Sequence, residues 1–312
     1  MITKSKYPSM NNYIFESQFK QEIILQAEKL GVRIAASKSF QDVLLDFLTV
    51  RLKLIDIIPR DAIMSPPLLK KIFFHTHKKE IETIFKYAKT GQNLNQFQSK
   101  RILQSRFHDH LSNEWNIYHF HLSFKRDLKS SFVKQVDMLL FAYIDNKKII
   151  FLDIAKHTPG IFADTKWIEI LHDYFPEIIE PFEANNMSDV FPKLNPQDRQ
   201  TLWDTGYTVG LTKIRDKVYF SPGAGRMTSG HGIGVIETSN RICRWMHKLD
   251  TQILESINEL CIYLRTTIDK IDFAIRFGEE NLELVEMSTK TKILTFDEVL
   301  ILKEEIIRQC RS

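Results

Sequence analysis

Two apolar runs, Gln135 to Ile144 and Lys148 to Ile154, flank the polar tripeptide Asp145-Asn146-Lys147. Such a tripeptide suits a tight turn, so the runs read as a β-hairpin. The second run is apolar on both faces of a strand, which places it inside a sheet and not at its edge. Ile117 to Ser123 alternates aromatic and aliphatic side chains with histidines at strand period and reads as a further strand. Tyr207 to Ile214 and Lys217 to Phe220, around Arg215-Asp216, read as a second hairpin.

Helical patterns precede and follow this region. Phe19 to Leu30 ends at Gly31, and Ser39 is placed to cap Phe40 to Ile55. Pro59 and Pro66-Pro67 then break the chain, and helices are expected over His77 to Lys89, Gln96 to Arg106 and Asp164 to Tyr174. Pro181 to Gln200 reads as a loop. A long helix follows Gly234, then strands Asp272 to Phe277 and Leu282 to Met287, then a helix opened by Thr295 with Glu298 in capping-box spacing. The expectation is an α+β protein with a mostly antiparallel central sheet spanning about 115–220. Its divisions are a helical region 1–110, a catalytic or binding core 111–234, and a C-terminal helix-hairpin-helix unit 235–312 suited to self-association.

The chain of 312 residues is 43% hydrophobic and 26% charged, a balance that excludes disorder as its main state. No apolar run reaches the ~18 residues of a membrane span, and Met1 to Lys20 lacks a signal-peptide block, so a cytoplasmic protein without a membrane partner is expected. Cys243, Cys261 and Cys310 form no C-x-x-C pair, which argues against disulfide scaffolds and cysteine zinc sites. The net charge is only +4, but residues 60–130 hold 13 Lys and Arg against 6 Asp and Glu. A basic stretch of that kind suits a phosphate backbone.

Six of the ten histidines form His-x-His pairs: His75 with His77, His108 with His110, and His119 with His121. On a strand, residues two apart share a face, so His119 and His121 point the same way, roughly 6.5–7 Å apart. Imidazole titrates near neutral pH. Two imidazoles can therefore flank one phosphodiester, one as base for the attacking hydroxyl and one as acid for the leaving oxygen. With the ribose 2′-hydroxyl as attacking group, no cofactor is required. Lys125 and Arg126 follow the strand and are candidates for neutralising phosphate charge.

Five of the eleven glycines lie between Gly223 and Gly234. The amides of Gly223, Gly225 and Gly230 are candidates for an anion cradle, with Arg226 as phosphate contact and His231 as a second acid or base. The motif matches neither a Walker A loop nor a dinucleotide fingerprint.

A hairpin that starts at Asp137 and ends with Asp153 and Lys156 resembles the PD-(D/E)XK nuclease core over residues 137–156. Folding the hairpin places Asp137 and Asp153 at its open end with His157 just beyond, and the resemblance implies that the two carboxylates hold Mg or Mn for metal-dependent cleavage. Lys156 departs from the pattern, standing three positions after Asp153 instead of two. The leading expectation is a nucleic-acid phosphodiesterase, a ribonuclease-like hydrolase acting as a toxin or antiviral effector under an inhibitory partner. The alternatives are the metal-dependent nuclease and a protein that binds nucleic acid, nucleotide or protein without chemistry.

Overall fold

The apolar hairpin forms as β3 (Met138–Ile144) and β4 (Lys148–Lys156). Asp145 fixes its turn, accepting from the amides of Lys147 and Lys148 at 2.7 Å each. This computed structural model describes residues 15–296 apart from 128–129, 269 and 279–280. They form an α+β protein of two units, one of residues 52–235 and one in which the chain up to 51 joins the chain from 236 onward. The sequence suggested 1–110, 111–234 and 235–312; residues 52–110 instead group with the sheet.

In the 52–235 unit the strand order is β1-β4-β3-β2, with β2 at Ile117–His121 and β1 at Asp61–Met64. β4 is internal, as its two-sided apolar run requires. One face, with Leu140, Ala142 and Phe151, packs on α3 (Pro66–Ile72) and α4 (Lys78–Thr90). The other, with Leu139, Phe141, Ile150 and Leu152, packs on α5 (His110–Trp115) and α6 (Lys166–Tyr174), where Trp167 stacks on Phe141 at 3.7 Å.

The structure departs from the sequence-based expectation at four places in this unit. β1 lies between the prolines that mark a break, and pairs parallel with β4. β5 (Leu211–Ile214) and β6 (Lys217–Phe220) form a separate two-stranded sheet, so the central sheet does not extend to 220. Residues 96–106 form two short 3-10 turns, Asn95–Phe97 and Lys100–Leu103, in place of a helix. The buried Asn95 side chain exchanges two 2.8 Å hydrogen bonds with the Ile55 backbone and accepts a third from Gln98, an alternative that competes with a helical ladder. Within the expected loop 181–200, a capping box between Asn195 and Asp198 starts α8 (Pro196–Asp204), which follows the one-turn α7 (Pro176–Ile179).

The other unit holds α1 (Glu16–Lys29), α2 (Phe40–Arg51) and a three-stranded antiparallel sheet in the order β7 (Phe273–Phe277), β8 (Leu282–Glu286), β9 (Thr291–Phe296). Phe19, Phe40, Phe47 and Phe277 pack ring against ring, with centroids 5.8–6.0 Å apart. α9 (Ile233–Tyr263) carries Ile242, Met246, Leu249, Ile253 and Ile257 on one buried stripe at helical spacing. Thr295, expected to open a helix, lies in β9, and Glu298 and the rest of that expected helix fall outside the described residues. Among the described residues no helix is long and apolar enough to cross a membrane.

Candidate active site

β2 is an edge strand, and pairing sets its faces: His119 stands opposite Phe141 and His121 opposite Leu139, on the α5 and α6 side of the sheet. Phe120 and Leu122 turn to the other core. The two rings lie 6.0 Å apart at 78°. α5 precedes β2, and its N-cap Asp109 accepts from the Ser112 amide at 3.1 Å. That turn brings His108 and His110 to the same wall as His119 and His121. His157, just past β4, completes five imidazoles around a cavity of about 930 Å³, which Asp109, Asp137, Arg101, Arg106 and Arg226 also line. Phe162 packs against His119 and His157, with centroids at 4.8 and 5.2 Å, and His110 stacks on Trp203 at 5.1 Å.

Burial governs the charges here. It holds His119 down to about 4, with repulsion from His157 adding to the effect. His121 is held at about 4 by burial and by His119, against the backbone of Val136, whose carbonyl lies 3.2 Å from Nδ1. Burial and the nearby Arg226 guanidinium bring His108 and His110 to about 4 as well. Burial pushes Asp109 up; its Oδ2 lies 3.5 Å from His119 Nδ1. The wall is therefore a set of neutral imidazoles at neutral pH, beside three guanidiniums. An anion in the cavity would favour the protonated rings and raise their pKa values. Behind the wall, burial lowers the Lys53 amine to about 7 despite Asp109, and its Nζ donates to the carbonyls of Gln104 and Phe107 at 2.7 and 2.8 Å.

The glycine cluster permits close packing. A Cβ at Gly223 would fall 1.9 Å from the Asn113 carbonyl oxygen, and one at Gly225, whose φ is +79°, would fall 2.2 Å from Thr208. Glycine lets the loop lie directly on α5. The amide of Gly223 donates to the Glu114 carbonyl of α5 and that of Gly230 to Met227, while Met227 donates to His231 and Ile233 to the Gly225 carbonyl. The close approaches at Gly223 and Gly225 give the loop a packing role, and it carries Arg226 to the cavity wall. That guanidinium donates from Nε to the Gly230 carbonyl at 2.9 Å and places Nη1 3.5 Å from His110 Nε2. His231 is half-buried and off the cavity wall.

Lys125 and Arg126 are exposed and do not line the cavity; Arg101 and Arg106, from the same basic stretch, take the position expected of them. Asp137 and His157 share the cavity, but Asp153 does not. A bulge makes Phe141 face Asp153 while Ala142 faces Phe151. Asp137 precedes Met138, the partner of Lys156, so the two carboxylates are four pairs apart, roughly 14 Å along the strands. Asp153 instead meets Lys71 Nζ at 2.5 Å. Lys156, three positions after Asp153, pairs with Met138 and lines a second concavity together with Lys71, the partner of Asp153. The ligand pair implied by the nuclease resemblance is therefore not brought together. Among the described residues no group of three or more His, Cys, Asp or Glu side chains is arranged to hold a metal ion. No family model matches this chain, and no curated protein or solved structure matches it.

Proposed function

We propose that the protein cleaves phosphodiester bonds of nucleic acid, RNA before DNA, with His119 as base and His121 as acid. The observation that carries this reading is the convergence of imidazoles from three chain segments, with Arg101, Arg106 and Arg226, on one cavity of nucleotide-accommodating size. His119 Nδ1 faces Asp109 and His121 Nδ1 faces Val136, which leaves Nε2 of each ring for substrate. Entry of a phosphodiester lifts both pKa values from about 4 toward neutrality, so that one ring is protonated while the other is not. His119 takes the 2′-hydroxyl proton, the 2′-oxygen bonds to phosphorus, the P–O5′ bond breaks, and His121 protonates the departing 5′-oxygen. A 2′,3′-cyclic phosphate results. Asp109 steadies the imidazolium formed on His119, and the guanidiniums meet the charge gathering on phosphate.

The test is incubation of purified protein with RNA and with DNA in EDTA, then with Mg²⁺ or Mn²⁺. Cleavage of RNA in EDTA with cyclic phosphate ends is expected, reduced about 10²- to 10⁴-fold by His121→Ala or His119→Ala. Cleavage only with metal would return the chemistry to carboxylates. Binding without cleavage under every condition would leave a nucleic-acid binding protein.

A further inference from the structure

On the opposite face of the sheet from the histidines, the end of α3 and the open end of the hairpin form a groove of about 520 Å³, lined by Lys70, Lys71, Phe74, His75, Met138 and Lys156 among others. Phe74 is 96% exposed and its neighbour Phe73 is 67% exposed. Lone surface phenylalanines are common, but an adjacent pair ringed by lysines is a distinct arrangement. Lys78 already sits over the Phe73 ring, 5.7 Å from its centroid, and Lys71 is turned to Asp153. Phe74 thus offers an open π-face, with exposed Lys70 and Lys156 beside it.

We infer that this groove holds a single-stranded stretch of the RNA whose scissile bond lies in the histidine cavity, with a base stacked on Phe74 and phosphates against Lys70 and Lys156. The inference rests on the cleavage reading above. Aromatic rings that stack bases, set in a cationic groove that follows the backbone, are how single strands are bound without sequence preference. The connectivity supports the pairing of the two sites. Met138 and Lys156 line the groove, while the adjoining Asp137 and His157 line the cavity, so the two concavities meet back to back across the last residue pair of the hairpin. A strand occupying both must turn sharply around that end. A double helix, stiff over ~50 nm in the case of DNA, does not make such a turn, whereas a single strand does. The concave form of the patch, with Phe74 on its wall, also fits an extended chain better than a membrane surface, which would engage a protruding tip.

The test is fluorescence anisotropy with a labelled 2′-O-methyl oligouridylate, which the proposed chemistry cannot cut, alongside cleavage of a dinucleotide that reaches only the cavity. Phe74→Ala should weaken oligonucleotide binding about tenfold, and Lys70→Glu with Lys156→Glu should flatten its salt dependence by about 0.7 for each phosphate left without a cation. Dinucleotide cleavage should stay at the wild-type rate in both variants, and a duplex of the same length should bind more weakly than the single strand. Wild-type oligonucleotide affinity in both variants overturns the inference. So does equal binding of duplex, or Phe74-dependent binding to phosphatidylserine vesicles without Phe74-dependent binding to RNA. If the cleavage reading alone fails, the dinucleotide remains uncut by every form of the protein while Phe74-dependent binding of the oligonucleotide persists. All three side chains are exposed, and circular dichroism checks that the variants fold.

Discussion

Glu114 and Glu286 are both sealed from solvent, at 1% and 0% exposure, yet their carboxyls behave in opposite ways. At Glu286, the last residue of β8, burial opposes ionisation. It is outweighed by Thr289, whose hydroxyl and amide donate at 2.6 and 2.7 Å, and by Ser288, which donates from its hydroxyl at 2.7 Å and its amide at 3.1 Å; the pKa falls to about 2. At Glu114, beneath the histidine wall, burial wins and the pKa rises to about 7. Its Oε1 accepts from Trp203 and Val209, while Oε2 has no hydrogen-bond partner among the described residues. Burial alone does not set the sign; the supply of donors to the ionised form does. The same contrast separates the units. One locks an ion in place, and the other holds four imidazoles below and a carboxyl above their ordinary pKa values.

The largest effect that sharpens this contrast is acid instability of the histidine unit. Its four imidazoles titrate near 6.5 when unfolded and near 4 when folded. Between those values the unfolded chain binds more protons, so stability is complete above pH 6.5 and is lost as pH falls toward 4. Each ring accounts for about 3 kcal/mol at most. Denaturant unfolding followed by tryptophan fluorescence reads this unit well, since Trp115, Trp167 and Trp203 lie in its core. A midpoint that drops steeply from pH 7 to pH 5, and drops less with phosphate in the buffer, is expected. A flat profile would mean the imidazoles are not held neutral.

The second test concerns the locked carboxylate. Glu286→Gln removes the charge that five donors address, the Asp272 amide at 3.4 Å being the fifth, at a cost of about 2 kcal/mol at neutral pH. A depressed carboxyl contributes stability above its unfolded value, near 4.5, and loses that contribution as pH falls toward 2. The cost seen by circular dichroism should therefore shrink in acid. An equal cost at pH 7 and pH 3 would assign it to packing. Glu114→Gln, a smaller change of about 1 kcal/mol, should have the opposite sign. The raised carboxyl favours the folded state while protonated and loses that advantage as pH rises from 4.5 through 7. The glutamine variant should match the wild type at pH 5 and be more stable at pH 8; lower stability at both values would break the comparison.

How much of this was legible in the sequence depends on whether the signal was local. The hairpin, the internal position of β4 and the shared face of His119 and His121 follow from a period of two, which any strand obeys. β1 escaped detection because four residues between prolines carry no periodicity, and their partner Lys148–Phe151 lies more than eighty residues along the chain. The meeting of His108 and His110 with His119 and His121 depends on the α5 turn, although Asp109 in an N-cap position was a readable hint. Arg101 and Arg106 were visible as part of the basic stretch but had no spacing to single them out. The glycine loop was ambiguous in principle. Glycine serves a close backbone approach as well as an anion cradle, and the position of the Asn113 carbonyl, which shows the former at Gly223, is not written in local sequence.

Asp153 supplies the smallest expected effect and the sharpest discrimination. Asp153→Asn keeps the shape of the side chain and removes the charge opposite Lys71. Because the lysine is half exposed, the pair is worth no more than about 1 kcal/mol. Cleavage of RNA in EDTA should remain within about twofold of the wild type, since about 1.4 kcal/mol would be needed at the reacting atoms for a tenfold change. The substitution also separates the two faces of the sheet. The histidine cavity does not include Asp153, whereas its partner Lys71 lines the groove that holds Phe74 and Lys156. Suppose Asp153→Asn abolished cleavage and His121→Ala left it intact. The reacting phosphate would then belong on the α3 face of the sheet, with Lys71 and Lys156 as its cations, and the imidazole wall would be reduced to an anion-binding surface.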